Sequence, residues 1–366
     1  MAINNDKTQV VHFRRPCSPK SNKEFRFGDT HLSTVSVYKY LGVMFDEFIA
    51  FDINATVLAD AAGRALGAIR SKFKDLKQCG YNTFNTLFST GVLSICDYSA
   101  AIWGTKYLPK IEQVSYKAAR YFLGVHRFAP VEALLGDMGW VSAKNRHKLL
   151  ILKFWNRLCT IPEARLTRKV FDWDRRFSGS NGTWSNAALR VLTDIECSDL
   201  FSAASPCDID SATNLIQNLD INEWDVNRYR SQKLRYYNLY KYDKSPEDYL
   251  FLDIGRYQKS VFAQFRCGIL PLEVEVGRYR NVALSDRICQ VCNEAVEDEI
   301  HFLLTCKVYS GPRSKLFSKA LESDESFTSL DEIDKFAFLV SNLQKPVMKF
   351  LTNALAIRTT YINRCN

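Results

Sequence analysis

The chain has 366 residues, of which 46% are apolar and 13% are aromatic. That is enough apolar material to bury two or three packed cores, and it excludes a disordered tail. The net charge of +9, from 49 basic and 40 acidic residues, is a moderate bias towards polyanionic partners that many globular proteins share. Charge alone therefore selects no function.

The sequence shows no targeting signal and no membrane segment. Its apolar runs are interrupted by charge before the roughly 18 residues that a membrane span needs, and its N-terminus lacks the apolar run of a secretory signal. The cysteines number 11, an odd count, and are scattered, which favours reduced thiols over a disulfide framework. We therefore predict an intracellular protein, nuclear or cytoplasmic, that is not secreted and has no membrane partner.

Residues 1 to 45 have the composition of β-strands. The segments TQVVHF, KEFRF and VSVYKYLGVMF are rich in β-branched and aromatic side chains, and Gly28-Asp29 after the second is a typical turn. They predict a small N-terminal sheet. That sheet looks incomplete, because no earlier strand or helix is present to cover it.

From about residue 52 the apolar spacing changes to a helical period. The predicted helices of the first half cover residues 52–76, 84–103, 109–123 and 143–158, with Gly80 and Gly124 as stops. Polar segments predict loops over 177–185 and 202–211. A second helical stretch follows over about 225–265, and amphipathic helices resume at about 327.

Four potential metal ligands lie within the 18 residues from Cys289 to Cys306. Two residues separate Cys289 from Cys292, so one turn can aim both sulfurs at a single ion, and His301 and Cys306 follow. Three sulfurs and one imidazole suit tetrahedral zinc, and a closed four-ligand shell leaves no position for a catalytic water. We therefore predict one structural zinc ion. Buried thiols beside a surface histidine are the alternative.

The segment AVEDEIHFLLTC between these ligands is predicted to be a short helix that opens with acidic residues at its positive end. Cys306 follows His301 by five positions, about 140° further round an α-helix, so the helix must loosen for both to reach one ion. Cys267 is a weaker substitute ligand, for which packing in a core is favoured. The histidines without a partner at ligand spacing are His12, His31, His126 and His147.

Motifs on both sides of the cysteines occur in a known order. The segments FRCGILPLEVEVGRYR, RICQVC and VEDEIHFLLTCKVY follow one another as in the C-terminal zinc-knuckle region of non-LTR retrotransposon (LINE type) reverse transcriptases, which the chain resembles. Upstream, INNDKTQVVHF and YKYLGVMFD are similar to the end of that family's palm domain. AAIWG, AARYFLGVHRFAPVEALLGDMGW and WNRL are similar to its thumb and linker, so the resemblance covers nearly the whole chain.

The resemblance implies a mainly α fold with a small N-terminal β-sheet remnant, a helical thumb and linker bundle, and a small zinc-knuckle module. The implied domains are the β-rich end of the palm in 1–50, a helical thumb-like domain in 51–165, a linker with helices and loops in 166–250, the CCHC zinc-knuckle region in 251–320, and C-terminal helices in 321–366. In the family the thumb lies along the template and primer duplex, so RNA or DNA is the implied partner.

The polymerase centre of the family is not matched. Such enzymes need an adjacent aspartate pair to hold two divalent ions, and no Asp-Asp pair occurs in this sequence. By the family's order the chain begins shortly after that pair, and no endonuclease motif is found, so we expect a non-catalytic fragment. The open alternatives are a structural or protein-interaction zinc domain without nucleic-acid binding, an incomplete gene model of an active RNA-directed DNA polymerase, and an untranslated relic.

Two basic stretches are candidate nucleic-acid contacts, because Lys and Arg attract phosphate and aromatic rings stack on unpaired bases. One is RYRSQKLRYYNLYKY, read as a helix with basic residues between tyrosines, and the other precedes the first metal ligand. The candidate side chains are Arg228, Arg230, Lys233, Arg235, Arg278, Arg280 and Arg287. For the first stretch, a helix that buries its tyrosines and solvates its charges is the alternative. Lys7 resembles a family position near the polymerase site.

Overall fold

The structure is a computed structural model that describes residues 8–75, 80–177 and 182–365. Within these ranges the backbone is mainly helical, with a small β region near the N-terminus, so the predicted fold class is confirmed. The strands are β1 (Phe25–Phe27), β2 (Thr30–Leu32), β3 (Val37–Tyr40) and β4 (Val43–Asp46). The α-helices are α1 (Asp52–Asp75), α2 (Tyr81–Phe88), α3 (Ser94–Cys96), α4 (Ala100–Trp103), α5 (Pro109–Leu123), α6 (Val131–Met138), α7 (Ala143–Thr160), α8 (Leu166–Arg176), α9 (Trp184–Asp194), α10 (Asp199–Ala203), α11 (Ile209–Arg230), α12 (Arg256–Arg266), α13 (Glu273–Tyr279), α14 (Ser310–Ser323), α15 (Glu332–Asn342) and α16 (Gln344–Cys365).

Contacts divide the chain into two compact units, each assembled from three separate stretches. Unit 1 comprises Met1–Ile69, Leu87–Val114 and Ala143–Ile216, and unit 2 comprises Arg70–Thr86, Ser115–Ser142 and Gln217–Asn366. The five consecutive domains implied by the sequence stay a prediction.

The N-terminal strands form two separate antiparallel hairpins. β1 pairs with β2 across the predicted Gly28-Asp29 turn. β3 pairs with β4, so the segment predicted as one strand instead turns back at Leu41 and Gly42, which have φ angles of 46° and 87°. The prediction of a strand over TQVVHF is wrong, because among the described residues of that segment only Val10 forms a bridge, with Thr34.

Three of the helices predicted in the first half of the chain are confirmed, and a fourth is not. α1, α5 and α7 lie where the apolar period places them, and Gly124 after α5 adopts the left-handed conformation of a helix stop, with φ of 68°. The predicted helix over 84–103 is wrong as a single element. It passes through a π-helical turn at Ser89–Leu93 and breaks before Ser99, where the Tyr98 carbonyl accepts from the Trp103 indole at 2.7 Å.

The helical stretch predicted over about 225–265 is interrupted in its middle. α11 ends at Arg230, and the next residues form short 3-10 turns that include Gln232–Leu234. The Arg228 guanidinium donates to the Lys241 carbonyl at 2.5 Å, which folds the segment back on itself. Gly268 permits a close backbone approach, because a β-carbon there would lie 2.1 Å from the Lys233 carbonyl oxygen.

Helices also begin earlier than the loop signals indicate. α9 and α11 start inside the predicted loops 177–185 and 202–211, because Thr183 and Asp208 accept from main-chain N–H groups of the first turn. α14 precedes the residue near 327 at which the sequence places the first C-terminal helix. Every helix among the residues described above is too short or too polar to cross a bilayer.

The core of unit 1 contains a carboxylate, Asp97, that contacts two basic side chains. Asp97 accepts from Arg146 at 3.0 Å and lies 3.1 Å from His147 Nε2. The buried Trp103 ring lies edge-on to His147, with the ring centroids 5.1 Å apart. His147 is therefore a core residue of this unit, as expected of a histidine without ligand spacing.

The core of unit 2 contains a buried ion pair. Asp137 has 0% exposure and accepts from Arg266 Nε and Nη2 at 3.0 and 2.8 Å. The hydroxyls of Tyr237 and Tyr249 each donate to the same carboxylate at 2.8 Å, and Glu247 lies 3.0 Å from the Arg266 guanidinium. Burial alone would raise the pKa of Asp137, but the Arg266 cation and these hydrogen bonds lower it below its usual value. The pair holds together stretches that are far apart in sequence.

We expect Asp137→Ala to lower the free energy of unfolding by roughly 3–5 kcal/mol, because Arg266 is then left buried without a counter-charge. Guanidinium denaturation followed by circular dichroism measures this. Asp60→Ala, at an exposed position of α1, is the matched control and is expected to change stability by less than about 0.5 kcal/mol. A loss for Asp137→Ala no larger than that of the control would contradict the role of the pair.

Candidate metal centre

The first two cysteines lie in a tight turn of unit 2. The Cys289 N–H donates to the Ala295 carbonyl, and the Asn293 N–H donates to the Cys289 carbonyl, each at 2.8 Å. Asn293 has φ of 56°, a left-handed conformation that asparagine tolerates better than most residues. This turn places the Cys289 and Cys292 sulfurs on one side of the loop, as the two-residue gap predicts.

The other two ligands come from a helical segment that begins at Glu299 and is π-helical over His301–Thr305. Asp298 caps it by accepting from the His301 N–H at 2.8 Å. The Cys306 N–H donates to the His301 carbonyl at 2.9 Å, so the turn closes on the residue five positions back. This wider turn brings Cys306 beside His301, which confirms the prediction that the helix loosens.

The four ligand atoms all lie within 4.8 Å of one another. Cys292 Sγ is 3.3 Å from His301 Nε2, and the four side chains are buried or nearly so. Tetrahedral zinc, with bonds of about 2.3 Å to sulfur and 2.0 Å to nitrogen, needs ligand atoms roughly 3.5–3.8 Å apart. The residues fit a zinc site, and the predicted set of Cys289, Cys292, His301 and Cys306 is the set that the fold brings together.

Neighbouring groups orient the His301 ring and shift the pKa values of two of the thiols. His301 Nδ1 lies 3.1 Å from the Thr305 hydroxyl, which leaves Nε2 for the cluster. A hydrogen bond with Cys306, followed by burial, raises the pKa of Cys289 to about 12, and the same bond lowers the pKa of Cys306. The hydrogen bond between the two thiols therefore accounts for the opposite directions of the two shifts.

Glu297 connects this cluster to the rest of unit 2. Its fully buried carboxylate accepts from Arg358 Nε and Nη2 of α16 at 2.8 and 2.7 Å. The Glu273 N–H at the start of α13 donates to the same carboxylate at 2.8 Å, and the Val274 N–H donates to the Glu297 carbonyl at 3.1 Å. Cys289 Sγ is 3.7 Å from Glu297 Oε1, so one residue touches the cluster, α13 and α16.

Most of the basic side chains predicted to contact nucleic acid are engaged within unit 2. The ion pairs are Arg228 with Asp225, Lys233 with Glu275, Arg235 with Glu299, Arg278 with Glu275 and Arg280 with Glu273. Arg287 donates instead to the Val274 and Val282 carbonyls. Arg230 is exposed and has no ion-pair partner in the part of the chain that the structure describes. Nucleic-acid binding by these residues stays a prediction.

Cys267 and Lys7 are the two remaining sequence candidates. Cys267 is fully buried at the end of α12 and is not one of the four clustered ligands, which agrees with the core role favoured for it. Lys7 lies outside the described residues.

Sequence reasoning missed a pair of exposed aromatic rings. Phe128 and Tyr279 are 48% and 55% exposed, with ring centroids 5.6 Å apart. A surface cleft at Phe128 is also lined by Arg230, Lys233 and Arg278, and Lys233 Nζ lies 3.4 Å from the Tyr279 hydroxyl. We name these five residues the aromatic–basic patch. Its one sequence signal is that Tyr279 stands between two candidate arginines.

No protein-family model, no curated protein and no solved structure matches this chain. The resemblance to non-LTR reverse transcriptases therefore depends on the sequence motifs alone. The geometry of the cluster is an independent observation on the same residues.

We expect purified protein to contain about one zinc ion per chain, and Cys292→Ser to lose it. Loss of the ion is expected to unfold residues 285–310 locally, which hydrogen exchange detects as faster amide exchange there. Cys17→Ser, at an exposed free cysteine, is the matched control and should keep the ion. A fully folded protein without metal would refute the prediction.

Proposed function

We propose that this chain is a non-catalytic nucleic-acid-binding protein related to the C-terminal part of non-LTR retrotransposon reverse transcriptases. In this proposal a structural zinc ion is held by Cys289, Cys292, His301 and Cys306, and RNA or DNA binds at the aromatic–basic patch. The motif order of the sequence supports the relationship, and the clustered ligands support the metal.

A structural role suits the proposed zinc ion. Four protein ligands fill a tetrahedral shell, so no position is left for the water that a catalytic zinc ion activates. The segment that carries the ligands has little regular structure beyond one bridge, Ile288 with Val296, and the short π-helical turn. An ion that ties the cysteine turn to the π-helical turn would supply much of the local stability.

The observation that carries the proposal is the path from the cluster to the patch. α13 is fixed at its first residues to Glu297, and it ends at Arg278 and Tyr279, two members of the patch. The Arg287 guanidinium, two residues before the first ligand, donates to the Val274 carbonyl of α13 at 2.7 Å. The metal would thus set the position of α13 and, through it, the surface that meets the nucleic acid.

The chemistry of the patch suits an unpaired strand. The Phe128 and Tyr279 rings offer faces for stacking on bases, which is worth about 1–3 kcal/mol per base. Among the described residues, Arg230 has no ion-pair partner and can bind phosphate, and the ion pair of Arg278 is a long contact of 3.7 Å to Glu275. Lys233 is more firmly paired with Glu275, at 2.5 Å, so it contributes less net charge.

One observation favours a second candidate, a structural or protein-interaction zinc domain that binds no nucleic acid. Of the seven basic residues predicted for binding, all except Arg230 have an acidic or carbonyl partner in the fold. A surface whose charges are already compensated attracts a polyanion weakly. Absence of binding at low salt would select this candidate.

Binding of labelled single-stranded RNA or DNA is expected to weaken steeply as salt rises. For single strands the slope of log K against log salt is about −0.7 for each phosphate neutralised, so Arg230→Ala and Arg278→Ala should each reduce its magnitude by roughly 0.7. Fluorescence anisotropy at several salt concentrations measures the slope. Lys315→Ala, an exposed change in α14, is the control, and an equal reduction in that variant would count against the patch.

Phe128→Ala is expected to weaken binding of a single strand by roughly 1–3 kcal/mol while leaving the salt slope unchanged, because a ring stacks on bases and carries no charge. Affinity for a duplex of the same sequence should change less, since its bases are already stacked. Equal losses for single strand and duplex would contradict base stacking at Phe128.

A further inference from the structure

The α8 helix of unit 1 exposes an apolar stripe. Its side chains recur at intervals of four, three and four residues, which aligns them on one face of a helix. The stripe consists of Leu166, Val170, Trp173 and Phe177, of which Leu166 is 75% and Trp173 60% exposed. The Trp173 and Phe177 rings lie against each other, with centroids 5.0 Å apart, so the stripe is continuous at its C-terminal end.

This stripe is not the face by which α8 packs on its own unit. The opposite face is anchored by Phe171, which is buried edge-on against Trp155 at 5.2 Å between centroids. Arg175 on that face donates to the carbonyls of Phe201 and Ser202 at 2.7 and 2.9 Å. A surface helix ordinarily presents polar residues on the face away from its core. α8 instead has apolar residues on both faces, and the outer set lacks a partner among the described residues.

Charge is distributed unevenly along the two edges of the stripe. At 100° per residue, Arg165, Lys169 and Arg176 all lie about 70–110° to one side of its centre. None of the three has an ion-pair partner in the described part of the chain. On the other edge, the Asp174 carboxylate accepts from the Ser185 N–H at 2.9 Å and is used to cap α9. Asp172 lies about 20° beyond Arg165 on the basic side, but its carboxylate already pairs with Arg168 and Arg175. The basic edge therefore carries three positive charges that no described carboxylate pairs, and the other edge carries no positive charge.

We propose that the α8 stripe is a docking surface for an amphipathic helix of a partner protein that has acidic residues along one edge. Apolar side chains of the partner would cover Val170 and Trp173, and its carboxylates would pair with the edge that contains Lys169. Trp173 lies in the middle of the stripe and is of a residue type that often dominates helix-in-groove contacts.

Charge decides between this occupant and the others. A second copy that met this stripe with its own α8 would offer no acidic edge, because the second edge of that helix carries Thr167 and an Asp174 that already caps α9. A helix that lies on an anionic membrane usually has basic residues across its whole polar face, whereas α8 also carries Asp172 and Asp174. The proposal uses no residue of the metal centre or of the aromatic–basic patch, so it is independent of the proposed function.

The test uses the full chain and two labelled synthetic peptides that form amphipathic helices with the same leucine spacing. One has glutamates along one edge, and the other has lysines there. Fluorescence anisotropy is expected to show binding of the glutamate peptide and at least tenfold weaker binding of the lysine peptide. Trp173→Ala should weaken binding of the glutamate peptide at least 30-fold, which corresponds to about 2 kcal/mol of binding free energy. Lys169→Ala should weaken binding of this peptide several-fold and reduce the salt dependence of its affinity.

Tyr257→Ala, which removes an exposed ring of α12, is the matched control and should leave peptide binding unchanged. Because Trp173 is exposed, its variant should fold, and circular dichroism checks this. Equal affinity for both peptides, or no binding of the glutamate peptide, would overturn the proposal. So would Trp173-dependent binding to phosphatidylserine vesicles without peptide binding, or Trp173-dependent self-association. Binding of labelled RNA or DNA should be the same with and without Trp173→Ala, which separates this test from that of the patch.

Discussion

The buried carboxylate of Glu297 is the point at which three parts of unit 2 constrain one another. It balances the charge of Arg358 from α16, accepts from the first residue of α13 and lies against the Cys289 sulfur. An ionised carboxylate without solvent is stable only if cations and N–H donors surround it. The cysteine cluster, α13 and the C-terminal helix are therefore mechanically coupled, because a shift of any one would leave a buried charge poorly paired.

This arrangement explains how a chain with a net charge of +9 can have few free cations at the surface that we propose for nucleic acid. Glu273 and Glu275 of α13 form ion pairs with Arg280, Lys233 and Arg278. These basic residues therefore help to fix the position of α13 in addition to contributing positive charge. Net charge counts all of them equally. Affinity for a polyanion depends on the basic residues that can give up their ion pairs within the protein and pair with phosphate instead. A long ion pair is easier to replace in this way than a short one.

Local chemistry was predictable from the sequence, and tertiary contacts were not. The spacing of Cys289, Cys292, His301 and Cys306 required a turn and a loosened helix, and the fold has both, because ligand geometry allows few alternatives. By contrast, RYRSQKLRYYNLYKY has helical composition but forms 3-10 turns, because Arg228 is drawn to a carbonyl 13 residues later. Exposure of Phe128 also depends on distant segments, which no local pattern contains.

The Asp137–Arg266 pair joins residues that are 129 positions apart, and all of the chain that completes unit 1 is synthesised between them. A ribosome therefore releases Asp137 long before its counter-ion, and the carboxylate must remain hydrated during that interval. Loop-closure entropy and the order of synthesis both delay this contact. Unit 1, whose last stretch ends at Ile216, can close while the nascent chain is still growing, whereas unit 2 must wait for residues near the C-terminus.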